Sequence, residues 1–129
     1  PLIQAFRSAP GPGWTLKWAI GNSLHTVAEA EHVPELLELV RDASHGRGRE
    51  MLVATLGKFD TSETRAAVLA LLQADDLTLH AIEAAGKLRL SESRSLLERY
   101  LDDERAPVRK AAGRALAMID KVPSARRRS

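Results

Sequence analysis

The sequence has no cysteine and few aromatics: two Trp, two Phe and one Tyr, 4% of 129 residues. Without cysteine there is neither a disulfide framework nor a thiolate zinc site. No apolar run approaches the roughly 18 residues of a membrane span. No basic start followed by an apolar core occurs, so no secretory signal is expected. Alternating β-branched and aromatic runs are scarce, which argues against strands. Signatures of chemistry are also thin. His25, His32, His45 and His80 form no His-x-x-x-His pair, there is no His-Glu dipeptide, and Gly-x-Ser-x-Gly is absent. What the chain does have is 44% apolar and 28% charged residues. That is too apolar for a disordered chain and fits one soluble, intracellular domain.

Helical spacing runs through the chain. Leu36, Leu37, Leu39 and Val40 make one stripe, Met51, Leu52, Thr55, Leu56 and Phe59 another, and Val108, Ala111, Ala112, Ala115, Leu116 and Ile119 the last. Turn and cap chemistry separates the stripes at Ser44-His45-Gly46, Asp60-Thr61-Ser62, Ala74-Asp75-Asp76, Leu90-Ser91 and Asp102-Asp103. Ser62 and Ser91 suit N-caps, and Pro34 and Pro107 suit first-turn positions, where a missing N–H costs nothing. The pattern predicts an all-α fold of about eight antiparallel helices in four pairs, near residues 1–8, 13–27, 31–42, 47–59, 62–73, 76–89, 91–101 and 105–121. Gly46-Arg47-Gly48-Arg49 follows no strand and reads as a flexible loop with a basic tip.

The stripes are of two alternating kinds. Leu-rich ones such as Ser95-Leu96-Leu97-Glu98-Arg99-Tyr100-Leu101 end at loops. Ala/Gly-rich ones include Leu16-Lys17-Trp18-Ala19-Ile20-Gly21, Val53-Ala54-Thr55-Leu56-Gly57-Lys58, Glu83-Ala84-Ala85-Gly86-Lys87-Leu88 and Gly113-Arg114-Ala115-Leu116-Ala117-Met118-Ile119. Gly21, Gly57, Gly86 and Ala117 recur at spacings of 36, 29 and 31. Glycine in a helix costs about 1 kcal/mol against alanine, so its recurrence predicts a close helix–helix crossing.

The segment Asp102–Ile119, with its acidic loop, Pro107 two residues before Arg109, and Ala111-Ala112, resembles the HEAT-repeat family, in particular the short HEAT-like repeats of bacterial proteins of the phycobilisome-lyase type. Residues 71–88 resemble it next best, and the likeness covers about residues 1–121. It implies a right-handed α-α superhelix, a HEAT-like solenoid, with the Ala/Gly-rich helices on the concave side where partners sit. It encodes packing and leaves function open. Residues 122–129 read as a basic flexible tail. The start at Pro1 reads as a fragment that lacks N-terminal repeats.

The net charge of +2 is a difference between two parts. Residues 1–104 carry 11 basic and 16 acidic residues, hence −5, and residues 105–129 carry 8 basic residues and Asp120, hence +7. Arg105, Arg109, Lys110, Arg114, Lys121, Arg126, Arg127 and Arg128 form this basic end, either a nucleic-acid patch or a solvated last helix with a tail. Trp14 and Trp18 share a helical face, as an aromatic binding patch or as packing. The expected function is a non-catalytic, cytoplasmic scaffold without cofactor or metal. It would hold a protein or peptide through Trp14, Trp18, Asn22, Lys58, Lys87 and Arg114. Nucleic-acid binding through the basic end is the second reading, and a lyase- or chaperone-type role the third.

Overall fold

A computed structural model describes residues 2–8, 14–73 and 77–121, the side chains of 14–16, 43 and 44 excepted. Among the described residues there are eight α-helices and no strand: α1 (Leu2–Ser8), α2 (Trp14–Val27), α3 (Val33–Arg41), α4 (Glu50–Leu56), α5 (Ser62–Leu71), α6 (Thr78–Lys87), α7 (Arg94–Tyr100) and α8 (Ala106–Asp120). Short 3-10 segments occupy Ala30–His32, Ala43–Arg49 and Ser91–Ser93. No helix among the described residues is long and apolar enough to cross a membrane.

Helices of 7 to 15 residues are marginal alone in water, so each must bury its apolar stripe on a neighbour. The contacts follow a simple order. Each odd-numbered helix packs on the next even one, and α2 touches α4, α4 touches α6, and α6 touches α8. The even-numbered helices thus form one continuous layer, with the odd-numbered helices packed against it. Leu36, Leu52, Leu56, Leu72, Ile82 and Leu97 are fully buried in the seams.

The recurring glycines lie where the even-numbered helices meet. A Cβ on Gly21 would stand 3.4 Å from Met51 Cβ. On Gly57 it would stand 3.3 Å from Ala84 Cα, and on Gly86 2.9 Å from Ala115 Cα. The predicted close crossings are present at Gly57 and Gly86, while Gly21 meets α4 at ordinary contact distance. Ala117, the fourth position in the series, is exposed.

Side chains reach across to carbonyls at helix C-terminal ends, which have no partner within their own helix. Arg49 donates to Val40 O at 2.7 Å, Arg65 to Leu88 O at 2.8 Å, Tyr100 Oη to Leu72 O at 2.6 Å and Lys58 to His25 O at 2.5 Å. Cationic donors there also complement the negative end of the helix dipole.

Three local expectations are corrected. The 46–49 segment is not a free basic loop: His45, Gly48 and Arg49 are buried. Arg49 is held by Gly46 O at 2.9 Å as well as by Val40 O, Gly46 supplies a left-handed turn (φ 53°), and Gly48 lies so close to Lys17 that a Cβ would meet its stem at 2.6 Å. Consequently α4 starts at Glu50, later than the expected start near residue 47. The N-cap of α5 is Thr61 rather than Ser62, because Thr61 and Thr64 satisfy each other's backbone N–H groups at 3.1 and 3.0 Å. Ser91 opens a 3-10 turn, and α7 follows from Ser93. Pro34 and Pro107 do sit in first turns, as predicted.

Candidate partner-binding face

The first polar cluster joins α1, α2 and the 43–49 segment. Lys17 and His45 are each 8% exposed. Their Nζ and Nδ1 atoms are 2.6 Å apart, and His45 Nε2 is 3.5 Å from an Asp42 carboxylate oxygen. An ammonium has only protons to offer, so Nδ1 accepts and the imidazole proton sits on Nε2, facing Asp42. The Phe6 ring meets His45 edge-on at 5.1 Å and lies 5.7 Å below the Lys17 ammonium. This arrangement requires a neutral imidazole. Burial, followed by the Lys17 charge, lowers the His45 pKa; Arg49 and Arg7 act the same way, while Asp42 opposes them.

The unfolded chain therefore takes up a proton near the ordinary value of 6.5 that the folded chain resists. Stability is full above about pH 6.5 and falls as pH drops through the lowered folded value. His25 contributes in the same direction, because burial first, then Lys58 and Lys87, lower its pKa too. Urea midpoints at about pH 7.5 and about pH 5 are expected to differ, and the difference should shrink in His45→Gln. An identical acid loss in that variant would contradict the assignment.

The second cluster lies on the solvent-exposed side of the α6–α8 seam. The N-terminal half of α6 lies beside that of α8, at Leu79, Glu83, Lys110 and Arg114, and the C-terminal ends meet at Lys87 and Met118, so the two helices run in the same direction. This places two ridges of i, i+4 side chains beside each other: Leu79, Glu83 and Lys87 on α6, and Lys110, Arg114 and Met118 on α8. A cavity of about 330 Å³ opens between Leu79, Glu83, Lys110 and Arg114. Another, of about 390 Å³, opens at the far end between Lys87, Arg89, Met118, Arg65 and Asp60. Arg65 is already engaged by Asp60 at 3.0 Å and by Glu92 at 3.7 Å. Lys87, Arg89, Lys110 and Arg114 are exposed and make no ion pair with a described residue.

Arg89 stands out by its backbone. Its φ is +52°, the left-handed conformation that follows a helix and usually falls to glycine. Leu90 N–H bonds back to Ala85 O at 3.0 Å and Arg89 N–H to Gly86 O at 3.1 Å, which brings Leu90 fully into the core. A non-glycine residue there costs about 1 kcal/mol.

The sequence-derived candidates divide accordingly. Lys87 and Arg114 line the two cavities, and Lys110 joins Arg114. Lys58 is exposed but spends its ammonium on His25 O. It also stands near His25, whose Nδ1 lies 3.1 Å from Thr55 Oγ1. Asn22 is exposed and Trp18 half-buried on α2, and neither lines these cavities. Trp14 begins α2, but its side chain lies outside the described residues.

The basic end is less free than its composition suggests. Arg105 grips the Asp103 carboxylate through Nε at 3.0 Å and a terminal nitrogen at 3.2 Å. That contact holds the Asp103 carboxyl below its ordinary pKa. Arg109 donates to Asp103 O at 2.7 Å and Glu104 O at 3.0 Å. Both arginines thus shape the entry to α8. Lys121 is exposed just past α8, and Arg126, Arg127 and Arg128 lie outside the described residues.

His32 bonds to Glu29 N–H at 2.9 Å, and among the described residues no three His, Asp or Glu side chains are grouped to hold a metal ion. Sequence reasoning missed Arg89 and the Lys17–His45 pair. The glycine at 48, a residue that allows close approach, was the one local signal for the pair; Arg89 had none, because its importance lies in a backbone angle. No protein-family model matches the chain, and a search of curated proteins gives no significant match.

Proposed function

We propose that the chain is a non-catalytic interaction module: a right-handed HEAT-like solenoid whose α2–α4–α6–α8 layer forms the concave side and holds a protein or peptide partner. The observation that supports this most is the glycine series. Gly21 on α2, Gly57 at the end of α4 and Gly86 on α6 each contact the next even-numbered helix, the last two at close range. Repetition of one contact builds a continuous face rather than an enclosed site, which suits an extended ligand. Exposed polar side chains recur at Asn22 on α2, Lys87 on α6 and Arg114 on α8, with Lys58 just past α4 bonded to His25 O. A cytoplasmic setting belongs to this reading. Nucleic-acid binding through Lys110, Arg114, Lys121 and the tail is the alternative. It is weakened because Arg105 and Arg109 are committed to the Asp103–Glu104 turn.

Selection of displayed random peptides on the immobilised chain tests the reading. Selected peptides should lose binding to the Lys87→Glu/Arg114→Glu variant and keep it with Glu38→Lys/Glu98→Lys on α3 and α7. Loss in the second variant alone, or no enrichment at all, would overturn it.

A further inference from the structure

We propose that the α6–α8 seam is a docking site for an acidic, extended peptide segment whose carboxylates pair with Lys87, Arg89, Lys110 and Arg114; this rests on the interaction-module reading above and names its ligand. Charge and shape both favour such a ligand. Two ridges with i, i+4 spacing run side by side for about 12 Å, the length of eight residues of helix at ~1.5 Å each. The contact of Gly86 with Ala115 draws the two helices together, and the small residues Ala106 and Ala111 line the cavity at the Leu79 end. Four exposed cations without a described ion-pair partner flank the seam, against Glu83 alone on the ridges and an Asp60 already bonded to Arg65. Such an excess of one sign around two surface cavities raises the local concentration of the opposite charge.

Apolar side chains stand at the two ends, half-buried Leu79 and Met118, which is 39% exposed. A ligand with acids in the middle and an apolar residue at each end matches that order. Arg89 adds a second line of argument. The chain turns there with a left-handed residue so that Leu90 can be buried, and glycine would make that turn without strain. Arginine gives no described contact in return, and its exposed side chain lines the cavity beside Lys87. A guanidinium at that place can take a carboxylate bidentately.

A peptide fits better than a nucleic acid. Glu83 and Asp60 interrupt the cations, where a phosphate backbone would want an unbroken track. No aromatic side chain lines either cavity to stack a base. A peptide with a lysine or serine among its acids would instead use Glu83.

Fluorescence anisotropy with the whole chain tests the proposal. The probes are a fluorescein-labelled Glu-rich peptide of about five residues with terminal leucines, which spans roughly 13 Å when extended, its Lys-rich counterpart, and a single-stranded oligonucleotide of equal charge. The acidic peptide should bind, and more weakly as salt rises. Lys87→Glu/Arg89→Glu should weaken it about tenfold or more. Arg89→Gly, which relieves the backbone and so keeps the fold, should weaken it about threefold. Tighter binding of the oligonucleotide, no binding of the acidic peptide, or binding unchanged in both variants would overturn the proposal. If displayed peptides select onto this face yet carry no excess of acids, the interaction-module reading stands and the acidic-ligand assignment falls.

Discussion

Gly86→Val is expected to cost about 3 kcal/mol of stability, near the top of the range for overpacked sites. A Cβ at this position would already sit 2.9 Å from Ala115 Cα and 3.0 Å from Ala115 Cβ. The obstacle is backbone, so no rotamer change removes it. Helix α8 would have to move off α6, and Val108, Ala111, Ala112 and Ala115 are all buried in that contact or beside it. Valine's helix propensity is only slightly better than glycine's, which offsets a few tenths of a kcal/mol at most.

Gly113→Ala supplies the opposite sign within the same pair of helices. Gly113 is exposed on α8, and an added methyl would meet only Leu101 Cδ2 at 3.9 Å. That variant should gain about 0.5–1 kcal/mol from reduced backbone freedom in the unfolded chain. Urea denaturation of the two variants measures both. Equal effects of the same sign would mean that the glycines do not mark the contacts described above.

Phe6→Ala is the second large effect, about 3–5 kcal/mol for a fully buried aromatic. Phe6 is the single fully buried residue of α1, with Leu2 and Ile3 only partly covered. A helix of 7 residues has no independent stability, so its attachment depends on this ring. The ring also covers Lys17 and His45. Its loss would admit water to a buried ammonium–imidazole pair, and limited trypsin digestion should then cut faster after Arg7 and Lys17. A stability change under about 0.5 kcal/mol, typical of exposed sites, would show that α1 is not docked as described.

Much of the architecture could be read from the chain because it repeats. Every helix must bury a stripe, so the 3.6-residue spacing of Leu and Ala located all eight, and the glycine series marked where they cross. Starts and stops were less legible. Thr61 outcompeted Ser62 because a cap depends on which hydroxyl faces the free N–H groups, and both are good candidates by residue type. The 46–49 segment misled for a related reason. Two glycines and two arginines look like a solvated loop, yet Gly48 is there to let Lys17 pass and Arg49 to satisfy Val40 O.

At the candidate site, Lys87 and Arg114 could be found because they project from the helix stripes at regular positions. Lys58, Arg105 and Arg109 are equally basic in sequence, but each has a backbone carbonyl or a carboxylate close by in the fold. Spacing cannot distinguish a cation that caps a helix end from one left to solvent. Arg41, Arg99 and Lys121 are also exposed without an ion pair to a described residue, so it is that distinction together with the two cavities that picks out the four cations of the α6–α8 seam.

The most direct test of the account is a map of backbone amide shifts as the Glu-rich peptide is added to isotopically labelled protein. The prediction is a contiguous set of changes along the even-numbered layer, centred on Glu83, Lys87, Arg89, Lys110 and Arg114. Changes centred on the exposed faces of α3 and α7, around Glu38 and Glu98, or no changes at saturating peptide, would contradict it.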